Sequence, residues 1–251
     1  IFVFILIRSA INYVNYPLIM GTGTVAGAVV ALIMVFMEKG IKFTLQKKET
    51  LVKYFSENLL YFISNVSTHI YTNANKIIVG SFLGMVEVAY YDIAEKVINI
   101  LKVPYSLLGQ TIFPKYSRDK NTGFIRKMFF LTIILTFLLI CCLFLFSHLI
   151  VSVLSGTPDL NTVKVLRILS LTMLPISISL YYGEILLLAN DLKLEYAKMR
   201  FTGLLIYLGL CIFLIFSGHL NARNIALTVV TVEVLIAIYS YLLSRKYSLI
   251  N

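Results

Sequence analysis

The sequence predicts an all-α integral membrane protein: a polytopic transmembrane helix bundle of about seven complete helices plus a partial one. Three observations predict it. Hydrophobic residues make up 59% of the 251-residue chain and charged residues only 14%, with a mean hydropathy of +0.88, far from the balance of water-soluble domains. Apolar runs of about 20 residues, the length that carries a helix across the hydrocarbon, recur along the chain. They are unbroken, which excludes a barrel whose strands alternate between lumen and lipid. Finally, the basic residues gather in every second loop.

Taken in order, the opening "IFVFILIRSAINY" reads as the tail of a further helix. With no initiator Met and no basic region before a small-residue cleavage site, the chain reads as part of a longer protein. Residues 18–37 form the first complete run. Its "GTGTVAG" resembles a nucleotide-binding glycine loop only superficially, because no strand precedes it and no acidic partner follows. Gly23 and Gly27, like Gly80 and Gly84, have the GxxxG spacing of closely packed membrane helices. Residues 58–83 and 88–113 keep a helical period but are interrupted by polar residues, and 163–188 contains Pro175. Residues 129–154, 201–216 and 225–243 are apolar almost throughout.

The net charge of +10 could point to nucleic acid, but its placement points to a membrane. Lys39, Lys42, Lys47, Lys48 and Lys53 lie in one loop; Lys115, Arg118, Lys120, Arg126 and Lys127 in another. Lys193, Lys198 and Arg200 follow in a third, and Arg245 and Lys246 at the end. The intervening loops "GMVEV", "SGTPDLN" and "SGHLNARN" hold one basic residue, Arg223. By the positive-inside rule the basic loops and the C-terminus are cytoplasmic. Basic residues interleaved with aromatics on a soluble surface, which nucleic-acid binding wants, are missing.

Cys141, Cys142 and Cys211 fall inside apolar helices, where they serve as small hydrophobes. His69, His148 and His219 are too scattered for a metal site, so neither a metal nor a cofactor is expected. The sequon Asn65-Val66-Ser67 lies at membrane depth and reads as a chance match.

The polar residues of "NVSTHIYTNANKIIVG" are ordered. Asn65, Thr68, His69, Thr72, Asn73 and Lys76 follow i, i+3, i+4, i+7, i+8, i+11 and form one helix face, while Val66, Ile70, Ala74 and Ile77 fall on another. Such a stripe must face protein or a water-filled cavity. A plainer alternative is interhelical hydrogen bonding, worth about 0.6 kcal/mol per bond. It serves the neutral residues better than Lys76. The next helix repeats the theme: Glu95, Asn99, Lys102 and Ser106 share a face, and Asp92 and Lys96 form an i, i+4 pair. A short turn at Gly84 makes the two helices antiparallel neighbours and puts Lys76 and Asp92 at similar depth, which predicts their contact. Lys96 and Lys102 are then the less compensated cations. Pro104 and Pro175 each remove a backbone hydrogen bond and are expected to kink their helices, as helices around an alternating-access cavity are. Glu233 lies at depth in the last helix, and Glu184 near the cytoplasmic end. Lys164 and Arg167 are expected to snorkel to the interface.

"NANKIIVGSFLGMVEVAYYDIAEKVINILKVPYSLLGQTIFPKYSRD" resembles the paired helices that open the second half of bacterial polysaccharide flippases, the O-antigen and capsule-unit (Wzx-type) transporters of the multidrug/oligosaccharidyl-lipid/polysaccharide exporter superfamily. The resemblance rests on Lys76 to Gly80, on Tyr91 with Ile93 to Lys96, and on Phe113-Pro114-Lys115 with Ser117; it departs at Asn75, where members often carry an acid. It implies that residues 1–37 end a first transmembrane lobe, 38–56 form a basic amphipathic linker on the cytoplasmic surface, and 57–251 form the second lobe. It further implies a bacterial inner-membrane transporter, not an enzyme, that flips polyprenyl-pyrophosphate-linked oligosaccharides for O-antigen or capsule synthesis. Membrane lipids, and a polysaccharide polymerase machinery receiving the product, are the further partners it admits.

On this reading Lys76, Lys96 and Lys102 attract the pyrophosphate, and Asn65, His69, Asn73 and Asn99 exchange hydrogen bonds with sugar hydroxyls. Asp92, Glu95 and Glu233 are candidates for proton or sodium coupling, or for neutralising the lysines. A multidrug or cation exporter would want a net negative cavity, whereas the two polar helices carry a slight cationic excess. A peptidoglycan-precursor flippase is harder to separate. A polysaccharide polymerase or ligase would want a substantial external loop and a reactive constellation, and neither is present. A purely structural subunit leaves the deep charges without a purpose.

Overall fold

A computed structural model describes residues 16–37, 44, 46–156 and 159–250, all helix or connection, with no strand among them. The expected tail of a further helix at 1–13 lies outside the described residues, as does most of 38–45. The chain divides into two compact units, 1–54 and 55–251. The first contains α1 (Tyr16–Met37), an apolar helix with exposed Val25, Val29 and Ile33. No heavy atom among the described residues lies within 4 Å of a Cβ built on Gly23 or Gly27, so that GxxxG has no packing partner there. α2 (Lys48–Leu83) begins in this unit and runs unbroken through residue 56.

The second unit comprises α2 from Phe55 onward, α3 (Met85–Asp119), α4 (Thr122–Ser155), α5 (Leu160–Ser170), α6 (Met173–Ser179), a π-helical segment Leu180–Leu187, α7 (Lys193–Phe216) and α8 (Ala222–Lys246). Its helix ends follow local chemistry. Gly84, at φ 92°, makes the α2–α3 turn, a backbone state that an L-residue with a Cβ rarely adopts. Asn121, Asp159 and Asn221 cap α4, α5 and α8 by accepting the N–H of Phe124, Thr162 and Asn224 at 2.9, 2.6 and 2.8 Å. α4 closes on Gly156 in the left-handed region.

α5, α6 and the π-helical segment form one rod, most of whose residues are buried, whereas most of α4 is exposed. The rod is therefore the centre of the unit and α4 an outer, lipid-facing helix. The rod packs on α3, α4, α7 and α8. It breaks at Leu171 and Thr172, whose N–H groups turn to Ile168 and Leu169 three residues back. Pro175 has no N–H for the carbonyl of Leu171, which accounts for a break there. Neither Pro104 nor Pro114 ends α3, which continues through both.

Among the described residues, four segments are long and apolar enough to cross a membrane: α4, the whole central rod, α7 and α8. The chain is a multi-pass membrane protein. α2 and α3, at 36 and 35 residues, are long enough to cross, but their polar residues keep them below that apolar threshold. Interhelical polar contacts are few and specific. Tyr105 meets Thr136 at 2.8 Å, and Thr132 meets Tyr181 at 2.7 Å. Arg167 donates across to α4 at Ser147 Oγ (2.8 Å) and the Phe144 carbonyl (3.1 Å).

Candidate functional site

The buried face of α2 is Ser64, Ser67, Tyr71, Asn75 and Val79, spaced as one helical stripe. It lies beside the polar stripe and not on it. Tyr71 OH donates to Glu233 Oε1 on α8 at 3.0 Å, and Tyr207 OH on α7 donates to Asn75 Oδ1 at 2.8 Å. Asn75 Nδ2 in turn donates to the carbonyls of Tyr71 and Thr72 at 3.3 and 3.1 Å. Both ends of this amide are satisfied, so Asn75 fastens α2 to α7. The hydroxyls of Ser64, Ser67, Thr68 and Thr72 donate to carbonyls four residues back within α2, at 2.7 to 3.0 Å. They need no other helix.

Beside this seam lies a cavity of about 490 Å³ between α2, α3, the central rod, α7 and α8. The polar stripe contributes Thr68, His69, Thr72 and Asn73, and α3 contributes Glu95, Asn99, Lys102 and Ser106. Glu233 lines it from α8, Glu184 from the π-helical segment and Arg200 from α7. Of the sequence-predicted residues, His69, Asn73, Asn99, Lys102, Glu95 and Glu233 thus come together, whereas Asn65, Lys76, Lys96 and Asp92 stand outside the lining.

Those last three charges form a network with Glu95. Lys76 Nζ reaches Asp92 Oδ1 and Glu95 Oε2, each at 2.7 Å, and Lys96 takes the second oxygen of Asp92 at 2.7 Å. The Lys76–Asp92 contact is the one that depth matching predicts. Lys96, however, is compensated, because Asp92 has two oxygens and sits between the lysines. Lys102 makes no ion pair among the described residues. The cavity lining therefore holds two cations, Lys102 and Arg200, and three carboxylates, Glu95, Glu184 and Glu233. The slight cationic excess counted along α2 and α3 does not carry over to it.

Arg200 is the residue that sequence reasoning misplaced into a loop. α7 starts at Lys193, two turns earlier than the apolar run, and Arg200 is 8% exposed. Its Nε donates to Tyr196 OH at 3.3 Å, and its guanidinium lies 5.3 Å from that ring. It forms no ion pair with Glu184 or Glu233, though all three line the same cavity. A signal was present: Tyr196, Arg200, Gly203, Tyr207 and Cys211 recur every three or four residues and share the buried face. Glu233 is 3% exposed, and its Oε2 has no hydrogen-bond partner among the described residues. Among those residues, too, no cluster of His, Cys, Asp and Glu could hold a metal.

This arrangement offers hydroxyls, amides and a few unpaired charges around a cavity inside a membrane bundle. Residues 1–120, covering α1 to α3 and hence Lys102, match the family model described as polysaccharide biosynthesis protein. No curated protein and no solved structure matches the chain significantly. The family match supports involvement in polysaccharide synthesis or export.

Proposed function

We propose that the protein moves polyprenyl-pyrophosphate-linked oligosaccharides across the bacterial inner membrane by alternating access, as the Wzx-type flippases do. The observation that carries this reading is the cavity of about 490 Å³, in which Lys102 and Arg200 stand among Thr, Ser and Asn side chains inside a membrane bundle. The polyprenyl chain stays in lipid, while the pyrophosphate and sugars need such a polar path. Lys102 and Arg200 meet the pyrophosphate, and His69, Asn73 and Asn99 exchange hydrogen bonds with the sugars. Glu233, buried and with one oxygen lacking a donor among the described residues, is the candidate coupling group. Lys76, Lys96 and Asp92 act at one remove, by holding Glu95 and the α2–α3 pair. The basic loops and the C-terminus face the cytoplasm.

The test is translocation of a polyprenyl-pyrophosphate oligosaccharide in proteoliposomes. Lys102→Ala and Arg200→Gln are each expected to slow it about tenfold or more, the loss of a charge-assisted contact to phosphate. Unchanged rates in both variants would remove the reading. A second reading, export of organic cations, is favoured by the three carboxylates in the lining. Cation export by the wild type, with no movement of the lipid-linked sugar, would establish it instead.

A further inference from the structure

A second recess, of about 390 Å³, lies between the first turns of α4, the π-helical segment and the end of α8. It shares no lining residue with the polar cavity, so its ligand is independent of the transport reading. Its inner surface is a run of ring contacts. Phe129 packs against Phe130, Tyr181 and Tyr182 with centroids 5.8, 5.5 and 5.2 Å apart, and Tyr182 against Tyr241 at 5.4 Å. Arg126 is its one charged lining residue among those described, and no acidic residue lines it. Arg126 makes no ion pair among the described residues; its guanidinium lies 6.0 Å from the Phe130 ring. The recess opens outward: Phe130 and Tyr241 are 53% and 42% exposed, and the α4 surface beyond Phe130 continues through exposed Ile134 and Phe137.

We infer that this recess binds an anionic glycerophospholipid of the surrounding bilayer, its phosphate on Arg126 and one acyl chain across the aromatic floor and out along α4. Three features select that occupant. A lone uncompensated cation at the mouth of an apolar recess fits a ligand with one anionic end and one greasy end. A cavity of this size sits within the roughly 300–1,000 Å³ of small-molecule sites, enough for a headgroup and the start of one chain. The recess also lies at the end of the bundle where Lys127, Arg245 and Lys246 gather, and where anionic headgroups concentrate.

The chain contains no tryptophan, so one introduced residue reports locally. Phe130→Trp places the probe in the recess; Phe213→Trp, on an exposed stretch toward the other end of α7, is the reference. Each variant is reconstituted in phosphatidylcholine vesicles with a minority of phosphatidylglycerol brominated along its chains, which quenches on contact. Quenching at Phe130→Trp is expected to correspond to about fivefold enrichment of the anionic lipid over its bulk fraction, the factor that one basic residue at an anionic surface supplies. It should fall to the reference level when Arg126→Gln is added and survive Arg126→Lys. Unchanged quenching of Phe213→Trp in the Arg126→Gln background shows that the fold is intact; if it changes, the Arg126→Lys comparison with brominated phosphatidylcholine decides. Equal quenching at both positions, or by both lipids, would overturn the inference. So would recovery of emission on adding polyprenyl phosphate at a tenth of the phosphatidylglycerol concentration, which would make the recess a carrier-lipid site.

Discussion

Lys76 reaches two carboxylates at once, Asp92 and Glu95, and is itself 35% exposed. Replacing it with Met leaves Glu95 without its counter-charge in a membrane bundle, while Asp92 keeps Lys96. The expected loss is about 1–3 kcal/mol, between the values for exposed and buried pairs, read by chemical unfolding in detergent. Lys76→Met with Glu95→Gln should recover part of it, because the orphaned charge is then gone. Tyr71 supplies the one donor to Glu233 among the described residues, so Tyr71→Phe leaves a 3% exposed carboxylate without any. That variant is expected to lose about 1–3 kcal/mol, and Glu233→Gln in the same background should restore much of it. The Lys76–Asp92 pair was legible in the sequence because depth matching across a short turn needs only chain geometry. Tyr71 and Asn75 were not, since the polar stripe beside them carries the stronger pattern and no residue count says which face meets another helix.

At the level of helices, the apolar runs located all seven described rods, yet they misplaced one functional side chain. Hydrophobicity marks the part of α7 that lies in lipid; its start at Lys193 rests on polar residues that helix propensity alone does not separate from a loop. α7 and α8 approach closely at Gly203, where an added Cβ would lie 2.5 Å from Ile236 Cδ1 and 2.9 Å from Cγ1. Gly203→Ala is expected to destabilise by about 1–3 kcal/mol through overpacking, measured as a lower thermal midpoint. Adding Ile236→Val, which removes the nearer atom, should regain a good part of that loss. Pro175 and Pro104 show why a proline's effect is hard to place from sequence. The central rod breaks at Leu171 and Thr172, just before the first, whereas α3 continues as one helix through the second. Local chemistry is the same; the packing around it differs.

For the molecule as a whole, composition and the alternation of basic loops were enough to read a multi-pass helical bundle, because both are set by the bilayer and not by any particular contact. The cavity was half legible. α2 and α3 announce their polar faces, but Glu184 and Arg200 come from segments far along the chain and meet them only in three dimensions. One further contact spans similar distances. Lys120, at the turn between α3 and α4, donates its Nζ to the Ala189 carbonyl and to Asn190 Oδ1, the latter at 3.1 Å. α3 carries Lys102 and the rod carries Glu184, so this side chain adds a polar tie between two walls of the cavity that also pack against each other. Because α3 also packs on α5 and on the π-helical segment, the lysine works as a latch, a polar clasp on a seam already joined by side-chain packing. Lys120→Met should open that latch: amide exchange across residues 188–192 is expected to quicken about tenfold, while the packed α3–α5 seam keeps its rates.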